Sequence, residues 1–346
     1  MTVPVTVVIL NWNGRHWLEK FLPSVTASTY SHLHILVVDN ASTDDSVDFV
    51  RKKYPQIQVE VMEENHGFAE GNNRALAFID TPYFILLNSD VEVTPQWLEP
   101  LIARMEAQPE IAALQPKIRA HFDKTSFEYA GASGGWMDRF AYPFCRGRIF
   151  DTLEKDHGQY ESPEEIFWAT GACCCIRTEV VQKIGLFQPE FFAHMEEIDF
   201  CWRAKNFGYQ IWVEPTSVVY HVGGGALPKE NPRKTFLNVR NSLACMYLNL
   251  PAGQRFPKVF FRLILDGVWG IKALLSWDWG TIKAILKAHF AFYGQLGTWN
   301  RRRKETYAEQ KPSRPQAGYF PKSIVWQYFV RGKKRFSELK APGKPA

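Results

Sequence analysis

The sequence predicts an α/β fold: a mostly parallel sheet with helices on both faces, followed by a helical, basic C-terminal extension. Two observations carry this prediction. Over the first 115 residues, short β-branched apolar runs alternate with helix-like stretches. Continuous apolar strands joined by helical crossovers imply a parallel sheet covered on both faces. The second observation is a change of charge. Residues 1–227 hold 18 Lys+Arg against 30 Asp+Glu, whereas residues 228–346 hold 23 against 6. The 346 residues suffice for one large domain, expected over 1–227, and a smaller appendage over 228–346.

The elements follow in order. Residues 5–10, 33–38, 57–62 and 83–87 are predicted strands, and residues 16–27, 44–54, 69–79 and 95–108 predicted helices. The helix at 44–54 has a start signal, with Ser42 and Thr43 ahead of Asp44 and Asp45. Residues 120–165, rich in Gly, aromatics and charge, are expected to make a long excursion or hairpin over the sheet. Residues 167–176 form an expected buried strand and 218–221 a last short one. Helices are expected at 179–184 and 196–206, the latter closed by Gly208. In the extension, Lys258, Arg262 and Asp266 fall four apart in an apolar run, which predicts one polar stripe on a broad apolar helix. Residues 281–293 repeat the idea with Lys283 and Lys287, and the last six residues are expected to be disordered.

Three of the six cysteines are consecutive, Cys173 to Cys175, and none makes a CxxC pattern. The start, MTVPVTVVILNWNG, has no basic leader region. Reduced thiols in cytosol are expected, with the triplet in a buried strand. No run of 18 apolar residues exists, so no spanning helix is expected.

In an open α/β sheet, ligands bind at the carboxyl ends of the strands. Here those ends carry Asn11-Trp12-Asn13-Gly14, Asp39-Asn40-Ala41-Ser42, Asn65-His66-Gly67 with Asn72 beyond, and Asn88-Ser89-Asp90. Each alone is ordinary turn chemistry. Together they would converge on one crevice. GxGxxG and GK[ST] are both absent, so a backbone-amide phosphate cradle is not predicted. A divalent cation held by carboxylates is the other way to bind a diphosphate, and Asp90 is placed for it.

The strings VVILNWNG, VVDNASTDDS, NHGFAEGNN and LLNSDVEV, followed by FFAHMEEIDFCWRAKNFGYQIW and His221-Val222-Gly223-Gly224, resemble family 2 glycosyltransferases of the GT-A fold, a Rossmann-like sheet. The likeness is greatest to the bacterial rhamnosyltransferase-like branch. It covers about residues 3–225; residues 235–300 resemble that branch's membrane-associated tail more loosely.

The resemblance implies inverting sugar transfer from a UDP- or dTDP-sugar, dTDP-rhamnose among them, to a hydroxyl of a glycan or lipid-linked saccharide in surface-polysaccharide synthesis. It implies that Asp39 binds the nucleotide base and that Asn11 and Asn13 line the nucleotide pocket. Asn65, Gly67 and Asn72 would lie beside the ribose and diphosphate. Asn88 to Asp90 matches the DXD-type motif, with Asn in its first position, so Asp90 supplies the carboxylate for Mg²⁺ or Mn²⁺. His221 would close the metal site. The general base would come from Glu196, Glu197 or Asp199, with Glu197 at the position of the usual catalytic Asp. Trp168, Thr170 and Gly171 resemble the strand lining the acceptor side.

The basic extension suits an anionic surface. A peripheral position on the inner face of the cell membrane is therefore expected, and no nucleic-acid motif points elsewhere. A non-catalytic nucleotide-binding scaffold is the competing class, and the intact set Asp39, Asp90, Glu197 and Asp199 argues against it. A nucleotidyltransferase would show a Gly-rich, basic first loop in place of NWNG.

Overall fold

The computed structural model describes residues 2–223, 231–308, 312 and 317–339. The expected boundary at 227/228, Gly224 and Gly225, and the last six residues lie outside the described residues.

The predicted parallel core is present. Strands β1 (Val5–Asn11), β2 (Leu33–Asp39), β3 (Gln58–Val61) and β4 (Tyr83–Leu87) lie side by side in the order β4-β1-β2-β3, all parallel. Helices α1 (Arg15–Thr26), α2 (Ser46–Lys53) and α3 (Gly67–Ala75) connect them. The first strands end level: Asn11 pairs with Asp39, and Asp39 with Val61. This register brings their polar ends to one edge. Helix α2 starts later than expected, because Asp44 turns its carboxylate to the amides of Arg15 and Ser46 rather than entering the helix.

Beyond β4 the sheet becomes mixed. Strand β5 (Val91–Val93) and helix α4 (Leu98–Ala107) lead to β6 (Ile111–Ala120). The long excursion makes a second sheet from β7 (Gly135–Asp138), β8 (Pro143–Cys145), β9 (Arg148–Ile149) and β10 (Thr152–Leu153). Strand β11 (Glu164–Glu165) edges the main sheet, and β12 (Cys173–Arg177) runs antiparallel between β4 and β6. The predicted strand at 167–176 is thus shorter, and residues 168–172 cross the sheet's end as a loop. Helices α5 (Thr178–Ile184) and α6 (Glu196–Asn206) follow. The last strand, β13 (Gln210–His221), is longer than predicted and parallel to β6, with a shift of register between Glu214 and Val218.

Alternate residues feed two cores, one on each side of the sheet. Val7 and Ile9 point to one and Val8 to the other. The cysteine triplet obeys the same period: Cys173 and Cys175 join the first core and Cys174 the second, and all six cysteines are free and buried.

The extension contains α7 (Pro232–Asn249), α8 (Ala252–Leu275), α9 (Trp279–Gly294) and α10 (Leu296–Thr306). Strand β14 (Tyr319–Phe320) then joins the second sheet beside β7, and α11 (Ile324–Phe329) follows. Helix α7 lies between α6 and the other helices of the extension: Asn241, Ser242, Leu243, Ala244 and Cys245 are all buried.

The polar stripe of α8 faces inward rather than outward. Arg262 and Asp266 are buried at 4 % and 1 % exposure, joined by a 2.8 Å bond from Arg262 Nε to Asp266 Oδ1. The guanidinium lies 4.1 Å from the centre of the Tyr142 ring, and His289 of α9 approaches Asp266 Oδ2 at 3.2 Å. The ion pair and its hydrogen bonds hold the helix by its polar face, leaving the apolar side in solvent. Among the described residues no helix is long and apolar enough to cross a membrane.

Candidate functional site

The four strand ends converge as predicted. Asp39, 1 % exposed, accepts from Asn11 Nδ2 at 2.9 Å through Oδ2 and from the Ser42 amide at 2.8 Å through Oδ1. Asn13, exposed and at φ +50°, accepts from the Thr43 amide at 2.7 Å. Asn65 Oδ1 accepts from the Gly67 amide at 2.8 Å and from Asn40 Nδ2 at 3.1 Å. Asn72 is buried and donates to the Phe68 carbonyl, so its amide fixes the first turn of α3. Asn88, half-buried, donates its backbone N–H to Ala172, which ties the end of β4 to the crossing loop.

Asp90 and His221 meet at the far end of this edge. Asp90 Oδ1 lies 3.2 Å from His221 Nε2. A residue that the sequence did not suggest completes the arrangement: Glu128 Oε2 lies 3.3 Å from His221 Nδ1. Burial would lower the imidazole's pKa, but the Asp90 and Glu128 carboxylates outweigh it and raise the value to about 10. Gly223 at φ +75° makes room for Glu128, because an added Cβ would stand 2.5 Å from Glu128 Oε1. No group of three or more His, Cys, Asp or Glu among the described residues could hold a metal alone. One carboxylate and one imidazole would fit an ion that draws its remaining ligands from a diphosphate and water, provided that the cation replaces the proton the two carboxylates hold on His221.

Glu196, Glu197 and Asp199 occupy the first turn of α6, whose N-terminal end favours negative charge. Their environments differ. Asp199 is fully buried and committed, accepting from Arg203 Nε at 2.8 Å and from Asn249 Nδ2 at 2.6 Å. Glu196 is buried with Oε2 unpartnered, and burial and the neighbouring Glu197 raise its pKa well above the ordinary carboxylate range. Glu197 is half-buried, also with Oε2 unpartnered, and burial pushes its pKa up to about 7 against the pull of nearby backbone amides.

The loop feeding α6 is strained. Phe192, His194 and Met195 have φ of +62°, +69° and +72°, a conformation that costs about 1–3 kcal/mol at each non-glycine residue. Asn241 of α7 holds it by donating from Nδ2 to the carbonyls of Phe191, Ala193 and His194 at 3.0, 2.9 and 2.7 Å. On the other side, the Phe192 carbonyl accepts from the amides of Phe68 and Ala69. Gly67 at φ +74° permits this close approach, since a Cβ there would strike the Phe192 ring. His194 is half-buried; burial, with Lys234 nearby, lowers its pKa to about 4.

The three acceptor-side candidates separate. Gly171 is buried between Phe68 and Glu197, with the position of a Cβ 3.3 Å from the Phe68 ring and 3.8 Å from Glu197 Cβ. Trp168 is instead in the core, covering Gly135 and donating from Nε1 to the Trp136 carbonyl. Thr170 is buried too, its amide bonded to Gln115 Oε1 and its hydroxyl accepting from the Ala172 amide. Asn40, Glu128 and Asn241 are the site-building residues that the sequence analysis passed over. Asn40 stood inside a quoted motif, whereas Glu128 and Asn241 lie in segments without a local pattern.

The sheet's carboxyl edge gathers a buried aspartate, a carboxylate–imidazole pair and an unpartnered acid on a helix N-terminus, and the fold is that of GT-A glycosyltransferase structures. The chain belongs to the family described as Glycosyl transferase family 2, whose model matches residues 6–185. It is a glycosyltransferase that uses a nucleotide-sugar donor. An N-acetylglucosaminyl-diphospho-decaprenol L-rhamnosyltransferase of Mycobacterium tuberculosis is 25 % identical over 240 residues, 64 % of this chain and 77 % of that one. Among solved structures, S. aureus TarS residues 1–349 in complex with UDP superposes with a TM-score of 0.53 at 14 % identity, covering 88 % of this chain and 89 % of that one. GalNAc-T7 with UDP, GalNAc and Mn²⁺ gives 0.55 at 17 % identity, over 72 % of this chain but 48 % of that longer one.

Proposed function

We propose that the protein is an inverting glycosyltransferase in which Glu197 is the general base. The observation that carries this is the contrast within α6: Asp199 is held by Arg203 and Asn249, while Glu197, which packs next to Gly171, keeps an unpartnered carboxylate oxygen. Its pKa of about 7 suits proton transfer near neutral pH. In this reading Glu197 takes the proton of the acceptor hydroxyl as that oxygen forms a bond to the anomeric carbon. The bond from that carbon to the diphosphate breaks on the opposite face, and the nucleoside diphosphate leaves with the electron pair.

Asp39, with Asn11 and Ser42 fixing its carboxylate, binds the nucleotide base. Asn13, Asn65, Gly67 and Asn88 frame the ribose and diphosphate. Asp90 and His221 would hold Mg²⁺ or Mn²⁺, which would supply positive charge against the departing diphosphate. Glu128 stands behind His221 and fixes its orientation, as carboxylates behind ligating histidines commonly do. The ion in the GalNAc-T7 structure supports a divalent metal.

In this reading the donor is a UDP- or dTDP-sugar, dTDP-rhamnose included; the likeness to the decaprenol-linked rhamnosyltransferase supports rhamnose as the sugar. It also supports a lipid-linked saccharide acceptor; this reading places the reaction in surface-polysaccharide synthesis at the inner face of the cell membrane. Thermal shifts with UDP-, dTDP- and GDP-sugars in the presence of Mn²⁺ test the donor assignment. Stabilisation by at least one is expected, and stabilisation by none would overturn it.

A further inference from the structure

Helix α8 is built inside out. Its charged residues Arg262 and Asp266 are the buried ones, while its large apolar side chains face water. Phe256 is 81 % exposed, Ile271 61 % and Leu275 78 %; on the turn and the next helix, Trp277 is 78 % and Phe290 76 % exposed. Monomeric proteins rarely leave so much contiguous apolar surface in water.

The turn between α8 and α9 is well formed. Trp277 sits at φ +55°, and Asp278 caps α9 by accepting from the Thr281 amide at 3.0 Å. This projects Leu275, Trp277 and Trp279 from the tip of a helical hairpin. The polar face has no freedom to turn outward: the Arg262–Asp266 pair is closed by Tyr142 and His289. The exposed side is therefore fixed by the fold.

The rim of this face is cationic. Lys272, Lys283 and Lys287 are exposed on the hairpin. Lys272 Nζ lies 5.7 Å from the Phe329 ring of α11, which adds exposed Trp326, Phe329 and Val330, and then Arg331 and Lys334. An apolar face bordered by lysines, with tryptophans at one end, matches the interfacial layer of an anionic bilayer: rings and aliphatic chains enter the acyl boundary and ammonium groups meet lipid phosphates.

We propose that the outer face of the α8–α9 hairpin, with α11 beside it, lies in the plane of an anionic lipid bilayer. This rests on the membrane-side reading above and specifies the surface that performs it. The hairpin packs on α7, which through Asn241 holds the loop leading to Glu197. Immersion of the hairpin therefore sets the height of the catalytic cleft above the lipid.

Flotation of the full chain with phosphatidylcholine vesicles, with and without phosphatidylglycerol, tests the surface. The wild type is expected to float with the anionic vesicles. The L275E/W277E double variant should lose about tenfold or more in partitioning, because 1.4 kcal/mol corresponds to a factor of ten. K283E/K287E should lose binding to anionic vesicles selectively. Unchanged donor-induced thermal shifts in both variants show that the cleft is folded. If the wild type floats and the hairpin variants float equally well, the surface is wrong and the membrane reading survives. If the wild type floats with no vesicle, both fail; a concentration-dependent dimer abolished by L275E/W277E would assign the face to a second copy instead.

Discussion

Asn249 on α7 donates a 2.6 Å hydrogen bond to Asp199 Oδ1 on α6. The bond joins the helical extension to the α6 carboxylate cluster and occupies one of the three acids that the sequence left open as a base. Asn249→Ala removes one partner of a buried charge and should destabilise the protein by about 1–3 kcal/mol, measured by denaturant unfolding. Asp199→Asn should lower the melting temperature yet retain transfer in the folded enzyme. Loss of transfer in a folded Asp199→Asn protein would return the base assignment to Asp199.

Glu197→Gln should reduce transfer by about 10²–10⁴-fold, the range of general base catalysis, with donor affinity kept. In the wild type, kcat should rise with pH through about 7, as Glu197 loses its proton. The same shift bears on stability. A carboxyl whose folded pKa is raised stabilises the fold most at low pH, and this contribution is lost as pH rises from its unfolded value through about 7. Glu197→Gln should therefore melt higher than wild type at pH 8 and differ little at pH 4. A pH-independent kcat in the wild type would count against Glu197.

Asp90→Ala and His221→Ala should abolish the thermal stabilisation that Mn²⁺ gives in the presence of a nucleoside diphosphate. Glu128→Gln should weaken Mn²⁺ binding by about 10–100-fold, the usual effect of losing a carboxylate behind a ligating histidine. Titration of the ion by calorimetry reads this without turnover. Equal Mn²⁺ affinity in Glu128→Gln and wild type would remove Glu128 from the site.

Gly67→Ala should disrupt the site from a distance. The residue needs φ +74° and would drive its Cβ into Phe192, so a loss of about 1–3 kcal/mol is expected. Transfer should fall with it, because Phe192 lies in the loop that leads to Glu197.

Local chemistry made the site's polar edge legible in sequence. Asn11, Asp39, Asn65, Asn88 and Asp90 follow directly on apolar strands, and strand periodicity alone brings them to one edge. The α6 carboxylates were legible for the same reason, since acids in a helix's first turn carry a signal. Long-range partners were not. Glu128 meets His221 only because β13 pairs with β6, bringing residues from two distant segments together. Trp168 read as a cleft residue because its neighbours matched a motif, but the space above Gly135 takes its ring into the core. The stripe of α8 was legible as a period, not as a direction. Amphipathic spacing identifies two faces, and only the Tyr142 and His289 partners determine which of them is buried.

One carbonyl, that of Phe192, is shared by the two halves of the cleft. It receives the amides of Phe68 and Ala69 from α3 and belongs to the segment that leads to Glu197. The loop that leads to α6 is therefore anchored on α3 as well as on α7. Such a joint makes the position of α6 answer to two helices at once, so a substitution on either should be felt by its carboxylates.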